Sequence, residues 1–464
     1  MLTRLKANGF KNLQDVDVRL GPFTCIAGPN GVGKSNFFDA ITFLAALADK
    51  SLMDAALSVR GGEGITGDIR NLFRRSGSKV NDRMSFEVEM IIPATGEDLL
   101  GEQVEASTTY LTYRLELRHR SPATARPLGG IEIVSESLGH LDHGEARKNL
   151  GFDHSDPWRD SVIQGHPTSA FISTATEAGG SVVSLHPETG GQPRRPRKVP
   201  AHGLRRTMLS SVNDGAEHPT LVTARQEMMS WTQLHLEPTA LRAPDAFSAP
   251  PFIGTSGAHV PATLHRVAEC AARETPGVDV YSQIANRLAE LDEDVRAIAV
   301  DVDEKRQLLS IVMTDRQETP YPASSLSDGA LRFLALAVME ADSSPRSLLC
   351  LEEPENSMHP RRIPAVLRLL HDLAVDPHEP VSADNPLRQV IVSTHSPRLV
   401  AEVPDDSLLV AEPPTHRSAG ESRLRFAPLP GTWRTHLDPT LQPVALGVLQ
   451  DYLSSLGHPL ARLG

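Results

Sequence analysis

Gly28-Pro29-Asn30-Gly31-Val32-Gly33-Lys34-Ser35 is the stretch that decides how this chain folds. It fits the pattern G-x-x-x-x-G-K-[ST], in which glycines let successive backbone N–H groups converge on phosphate oxygens. Residues 23–27 before it form a short apolar run. Residues 35–47 after it carry Phe37, Phe38, Ile41, Leu44 and Leu47 at helical spacing. Strand, glycine loop and helix in that order predict an α/β nucleotide-binding fold, because the N-terminus of the helix favours negative charge. Lys34 would reach the β- and γ-phosphates of ATP, and the Ser35 hydroxyl would hold Mg²⁺. Asn30, Gly31, Gly33 and Asn36 would complete the loop around the nucleotide.

Three further elements lie far downstream. Residues 348–351 are an apolar strand running into Glu352-Glu353-Pro354-Glu355. Strand ends in α/β sheets face the ligand crevice, so one carboxylate there can orient Mg²⁺ and a second can polarise an attacking water. A solvated acidic turn is the plainer alternative. Ser327-Asp328-Gly329 precedes an apolar helix over 330–340. Its hydroxyl, free N–H groups and dipole make an anion site, and the same geometry makes Ser327 an N-cap. His395 follows the apolar strand 389–393 and should sit at the same crevice, able to donate to a γ-phosphate oxygen or position water.

Composition sets bounds around these motifs. The 464 residues carry a net charge of −12, which argues against a chain that is cationic throughout, though a local basic patch remains open. Cys25, Cys270 and Cys350 have no metal-type spacing and read as reduced thiols. No run reaches the ~18 apolar residues of a membrane span. Residues 1–6 open directly into a strand pattern with no signal-peptide core, so a cytoplasmic protein with no membrane partner is expected.

Between the motifs the pattern changes. Residues 84–92, 108–119 and 131–138 alternate apolar and polar positions, as antiparallel strands with one wet face do. Residues 139–219, rich in Gly, Pro, Ser, His and Arg, read as mostly irregular with one strand at 181–185. Helices are expected over 220–234, 261–274, 278–291 and 360–373, and a hairpin over 297–313. The expected division is 1–105 for the N-terminal half of an ATPase head, 106–300 for a β subdomain with a mixed α/β insertion, and 301–464 for the C-terminal half. No sustained heptad run appears.

Taken together, these motifs resemble the ABC-type ATPase head of the SMC/RecF superfamily. They most resemble its compact AAA_21-like group, which includes the ATPase halves of overcoming-lysogenization-defect nucleases and of anti-phage defence systems. The matching stretches are Phe10-Lys11-Asn12-Leu13 and residues 28–36, 324–335, 350–360 and 392–397. The resemblance implies a P-loop NTPase that forms a homodimer around ATP. Lys34 and Ser35 would be the Walker A residues, and Ser327 and Gly329 the signature that contacts ATP on the opposite subunit. Glu352 would take the Walker B Mg²⁺ position, Glu353 the catalytic base and His395 the switch histidine. Residues 355–359 would lie across the dimer interface. Three departures stand out. Glu352 replaces the usual Asp, Asp328 replaces the usual Gly, and no glutamine marks the Q-loop, where residues 67–75 with their arginines fall instead.

The lack of heptads separates the chain from coiled-coil relatives. Residues 407–412 mimic the first strand of a Toprim nuclease domain, but no D-x-D follows, so cutting is expected from a separate effector protein. Gln192-Pro193-Arg194-Arg195-Pro196-Arg197-Lys198 is the densest basic stretch. It is either a solvated loop or a contact to double-stranded DNA. The expected function is a dimerising ATPase in DNA maintenance or anti-phage defence; the alternative is a slowly hydrolysing scaffold that holds a nuclease or toxin partner.

Overall fold

The computed structural model describes residues 1–59, 68–76, 79–98, 100–120, 129–165, 169–188, 195–274, 277–343, 346–412, 424–445 and 447. Two sheets carry the architecture. The first has eight antiparallel strands in the order Arg197–Pro200, Gly180–Leu185, Ile172–Glu177, Gly130–His140, Tyr110–Arg120, Arg83–Ile91, Leu2–Asn8, Val16–Arg19. Its inner face is apolar, through Phe86, Val88, Met90, Leu111, Tyr113, Leu115 and Leu117. Its outer face is a lattice of charge pairs: Arg4 with Asp17 and Glu89, Lys6 and Arg114 with Glu87, Arg83 with Glu116. Alternation along each strand produces these two faces, as the 84–138 pattern predicts.

The second sheet has six strands in the order Trp231–Leu234, Leu348–Glu352, Gln389–Thr394, Phe23–Ala27, Leu408–Glu412, Arg425–Pro428. All neighbours are parallel except the last pair. Its central strands are buried along their length, which is why they read as unbroken apolar runs. Helix Lys34–Leu47 belongs to the core that joins the sheets. Phe43 stacks on Phe10 at 5.6 Å, and Phe37 meets Phe426 at 5.1 Å. A helix with Phe37, Phe38, Ile41, Phe43 and Leu44 all buried has apolar residues all round, as a helix between layers must. One buried amide also stitches the sheets. Gln389 Nε2 donates to the carbonyls of Leu2 and Gly21, both at 2.8 Å, and its Oε1 accepts from Leu2 N–H at 2.9 Å.

A second core gathers helices Val260–Glu274, Val280–Ala289, Asp328–Ala341 and Ile363–Leu373, with the hairpin Val295–Asp303 and Leu308–Asp315. Two expectations need correction. Residues 139–219 hold more regular structure than the one strand expected: three strands that extend the antiparallel sheet and helices Ala146–Leu150 and Asp156–Val162. Their Ser- and Thr-rich alternation is weak in sequence, and neighbouring strands supply the pairing. The helix expected over 220–234 ends at Met229, and Trp231–Leu234 is a parallel strand beside Leu348–Leu351. A short apolar run has no decisive period, and the open sheet edge captures it. The breaker at 275–277 falls largely outside the described residues.

Candidate nucleotide-binding site

Parallel register brings the motifs to one sheet edge. Glu352 pairs with Ser393 and Thr394 with Ala27, so the chain leaves three adjacent strands at Glu353, His395 and Gly28. The phosphate loop connects there to helix Lys34–Leu47 through tight backbone. Gly28 has φ 152°, and a Cβ on it would lie 2.7 Å from the Ala411 carbonyl. Gly33 has φ 116°, and a Cβ there would lie 2.2 Å from Asn12 Nδ2. Any side chain at either position collides.

Asn12 is the clamp that makes Gly33 necessary. Its Nδ2 donates to the Val32 carbonyl at 3.0 Å, and its Oδ1 accepts from Asn36 Nδ2 at 2.8 Å. Lys11 Nζ pairs with the buried Asp39 on the same helix at 2.7 Å. Asn36 therefore braces the loop from below, while Asn30 and Gly31 form its exposed crest. Lys34 is buried, and its Nζ donates to the carbonyls of Gly28 at 2.5 Å and Pro29 at 2.9 Å. Burial lowers its pKa, opposed by Glu353, Glu352 and Glu355.

Ser35 Oγ donates to Glu352 Oε2 at 3.1 Å, and Gln233 Nε2 donates to Glu352 Oε1 at 3.0 Å. Thr42 Oγ1 in turn donates to Gln233 Oε1 at 3.2 Å. A hydroxyl and a carboxylate thus meet beside the loop, oxygen donors of the hard type Mg²⁺ takes, and the Gln233 amide nitrogen holds the carboxylate in place. Among the described residues no three His, Cys, Asp or Glu cluster into an all-protein metal cage. A Mg²⁺ here would complete its shell with phosphate oxygens and water, the usual arrangement for this ion.

Gln233 is the residue that sequence reasoning missed. Residues 68–75, the described part of the stretch expected to replace the Q-loop, instead brace the Phe10 loop: Lys11 N–H donates to the Leu72 carbonyl and Arg74 N–H to that of Gly9. Gln233 was hidden because its strand was read as helix. The available signal was Trp231-Thr232-Gln233-Leu234 itself, a strand-like aromatic and β-branched run ahead of Pro238.

Glu353 has φ 50°, a left-handed conformation that costs a non-glycine residue on the order of 1 kcal/mol or more and concentrates at functional sites. Its N–H donates to Ser393 at 2.8 Å, fixing the turn. Oε1 lies 2.5 Å from His395 Nδ1, and Oε2 accepts from Asn356 Nδ2 at 3.3 Å. Against an ionised carboxylate Nδ1 carries the proton, leaving Nε2 for a ligand. Glu355 turns inward rather than out: it is buried, and Thr394 Oγ1 donates to its Oε1. Its Oε2 has no partner among the described residues, and burial raises its pKa.

Ser327 caps helix Asp328–Ala341, accepting from Ala330 N–H at 3.2 Å. Gly329 lies against the loop after Glu353, since a Cβ on it would sit 3.0 Å from the Ser357 carbonyl. Arg332 Nη1 donates to the Asn356 carbonyl at 3.2 Å. Among the described residues no hydrogen bond or ion pair joins Ser327, Asp328 or Gly329 to the phosphate loop. Of the basic stretch, 192–194 lie outside the described residues; Lys198 pairs with Glu177 at 2.7 Å on the sheet edge. A cleft of about 910 Å³ opens at the opposite end of the strands, around Phe23, Phe152 and Trp433. Among the described residues no helix is long and apolar enough to cross a membrane.

This combination of phosphate loop, acidic strand end and histidine on a mostly parallel sheet defines a P-loop NTPase, an ATPase head of the SMC/RecF-like ABC type. Residues 23–85 and 140–401 match the family model described as "AAA domain, putative AbiEii toxin, Type IV TA system", and the chain belongs to that family, AAA_21. An OLD nuclease of Thermus scotoductus is 51% identical over 41 residues, 9% of this chain and 8% of that protein. The RecF DNA replication and repair protein of Corynebacterium jeikeium is 30% identical over 98 residues, 21% of each chain. The aligned stretches thus span a small part of either relative. A crystal structure of an SmcHead bound to the C-winged helix domain of ScpA superposes at TM-score 0.50. It shares 13% identity and covers 92% of this chain and 98% of its own, a likeness of fold.

Proposed function

We propose that the chain binds ATP with Mg²⁺, closes into a homodimer around it and hydrolyses it. Lys34 exchanges the loop carbonyls for the β- and γ-phosphates. Ser35 and Glu352 would hold Mg²⁺, with Gln233 orienting Glu352, and the ion would neutralise phosphate charge. Glu353 accepts a proton from the attacking water, and His395, oriented through Nδ1, presents Nε2 towards the γ-phosphate. Ser327 and Gly329 complete the site from the partner subunit. The single observation that supports this reading best is the Glu353–His395 pair, held on strained backbone beside the Ser35–Glu352–Gln233 cluster. Membership of the AAA_21 family, with partial matches to an OLD nuclease and a RecF protein, supports a role in DNA maintenance or anti-phage defence. A separate effector protein then does any cutting, and double-stranded DNA is the candidate trigger.

The test is the solution mass of E353Q with and without ATP and Mg²⁺. Conversion of monomer to dimer only when ATP and Mg²⁺ are present is the expected result. A mass indifferent to ATP overturns the composite site and favours a scaffold that holds a partner.

A further inference from the structure

The acid in the signature stretch poses a physical problem. Asp328 is the first residue of a 14-residue helix whose N-terminus is, in the reading above, an anion site for ATP bound to the other subunit. An aspartate there suits the helix dipole but repels a triphosphate. The structure answers with Arg242, the residue that ends the short helix Pro238–Leu241. Its Nη2 donates both to Asp328 Oδ1 and to the Leu326 carbonyl, the latter at 3.0 Å. One guanidinium therefore cancels the carboxylate and fixes the backbone just before Ser327. Asp328 is 40% and Arg242 29% exposed, so the pair lies at the surface where a second subunit would arrive.

We propose that Arg242 is a positioning residue of the composite ATP site. It neutralises Asp328 and sets the Leu326–Ser327 backbone so that the helix N-terminus can receive a phosphate bound to the partner subunit. This rests on the dimer reading, and the test separates the two. In the E353Q background, the ATP-dependent dimer dissociation constant is measured for R242A, D328N and R242A/D328N, with melting temperature as a fold control. R242A should weaken the dimer about tenfold, since it leaves an uncompensated carboxylate beside phosphate. D328N, with the arginine kept, should tighten it about threefold. The double variant should return to within about threefold of the parent. A double variant as weak as R242A, with D328N no tighter than the parent, overturns the neutralising role. D328N alone carries the test if R242A does not fold. An E353Q parent that never dimerises on ATP overturns the function reading, and this inference with it.

Discussion

The two halves of the proposed site differ in how finished they are. The phosphate-loop half is already assembled. Lys34, Ser35, Glu352 and Gln233 are hydrogen-bonded to one another or to the loop, and Asn12 clamps the backbone from outside. The signature half is a surface. Among the described residues Ser327, which is exposed, hydrogen-bonds only within its own helix, and Gly329 packs beneath the loop at Ser357 and Met358. A preformed pocket lowers the cost of binding nucleotide, whereas a helix end facing outward contributes only once something is brought to it. On the proposed function, then, nucleotide binding and subunit contact are separable events.

Four measurements can break or sharpen that contrast. The largest effect belongs to E353Q, which should bind ATP as the parent does and lose turnover by about 10²-fold or more, the share of a general base. Equal turnover would remove the base assignment. K34A should weaken nucleotide affinity by about 100-fold, read by fluorescent-nucleotide titration, because a charged donor is lost from a buried loop. S327A should leave monomer affinity for ATP unchanged, weaken the ATP-dependent dimer about tenfold and cost about 1 kcal/mol of helix stability as a lost cap. If S327A weakened monomer binding as K34A does, the halves would not be separable. The smallest effect is that of E355Q. Burial raises the folded pKa of Glu355 above its unfolded value, so this carboxyl stabilises the fold below the unfolded carboxylate range. That contribution is lost as pH rises through the folded pKa. Denaturant midpoints of the parent should decline over that rise, and those of E355Q should be flatter.

The parts legible in the sequence are those where one local rule acts alone. Phe23–Ala27 has the bounds expected of it, because a buried parallel strand has no polar face to interrupt the run. The loop glycines could be read because their positive φ is an intrinsic property. Gln233 could not, since its place beside Glu352 depends on a parallel pairing across more than a hundred residues. The resemblance puts Glu355 in a loop across the dimer interface; its inward direction is set by Thr394 on the neighbouring strand. Asp328 looked anomalous until Arg242 was seen beside it. In each case the missing information was a partner distant in sequence.

The central place of Phe23–Ala27 also bears on how the chain is made. This strand lies between Gln389–Thr394 and Leu408–Glu412, and Gln389 bonds to Gly21, 368 positions away in sequence. Synthesis therefore delivers the phosphate-loop strand long before either neighbour exists. In that interval a mostly apolar segment has both edges open, the state in which nascent chains stick to one another or to chaperones. Non-local pairing of this kind is slow, and the sheet cannot close around this strand until Gln389–Thr394 and Leu408–Glu412 have been made.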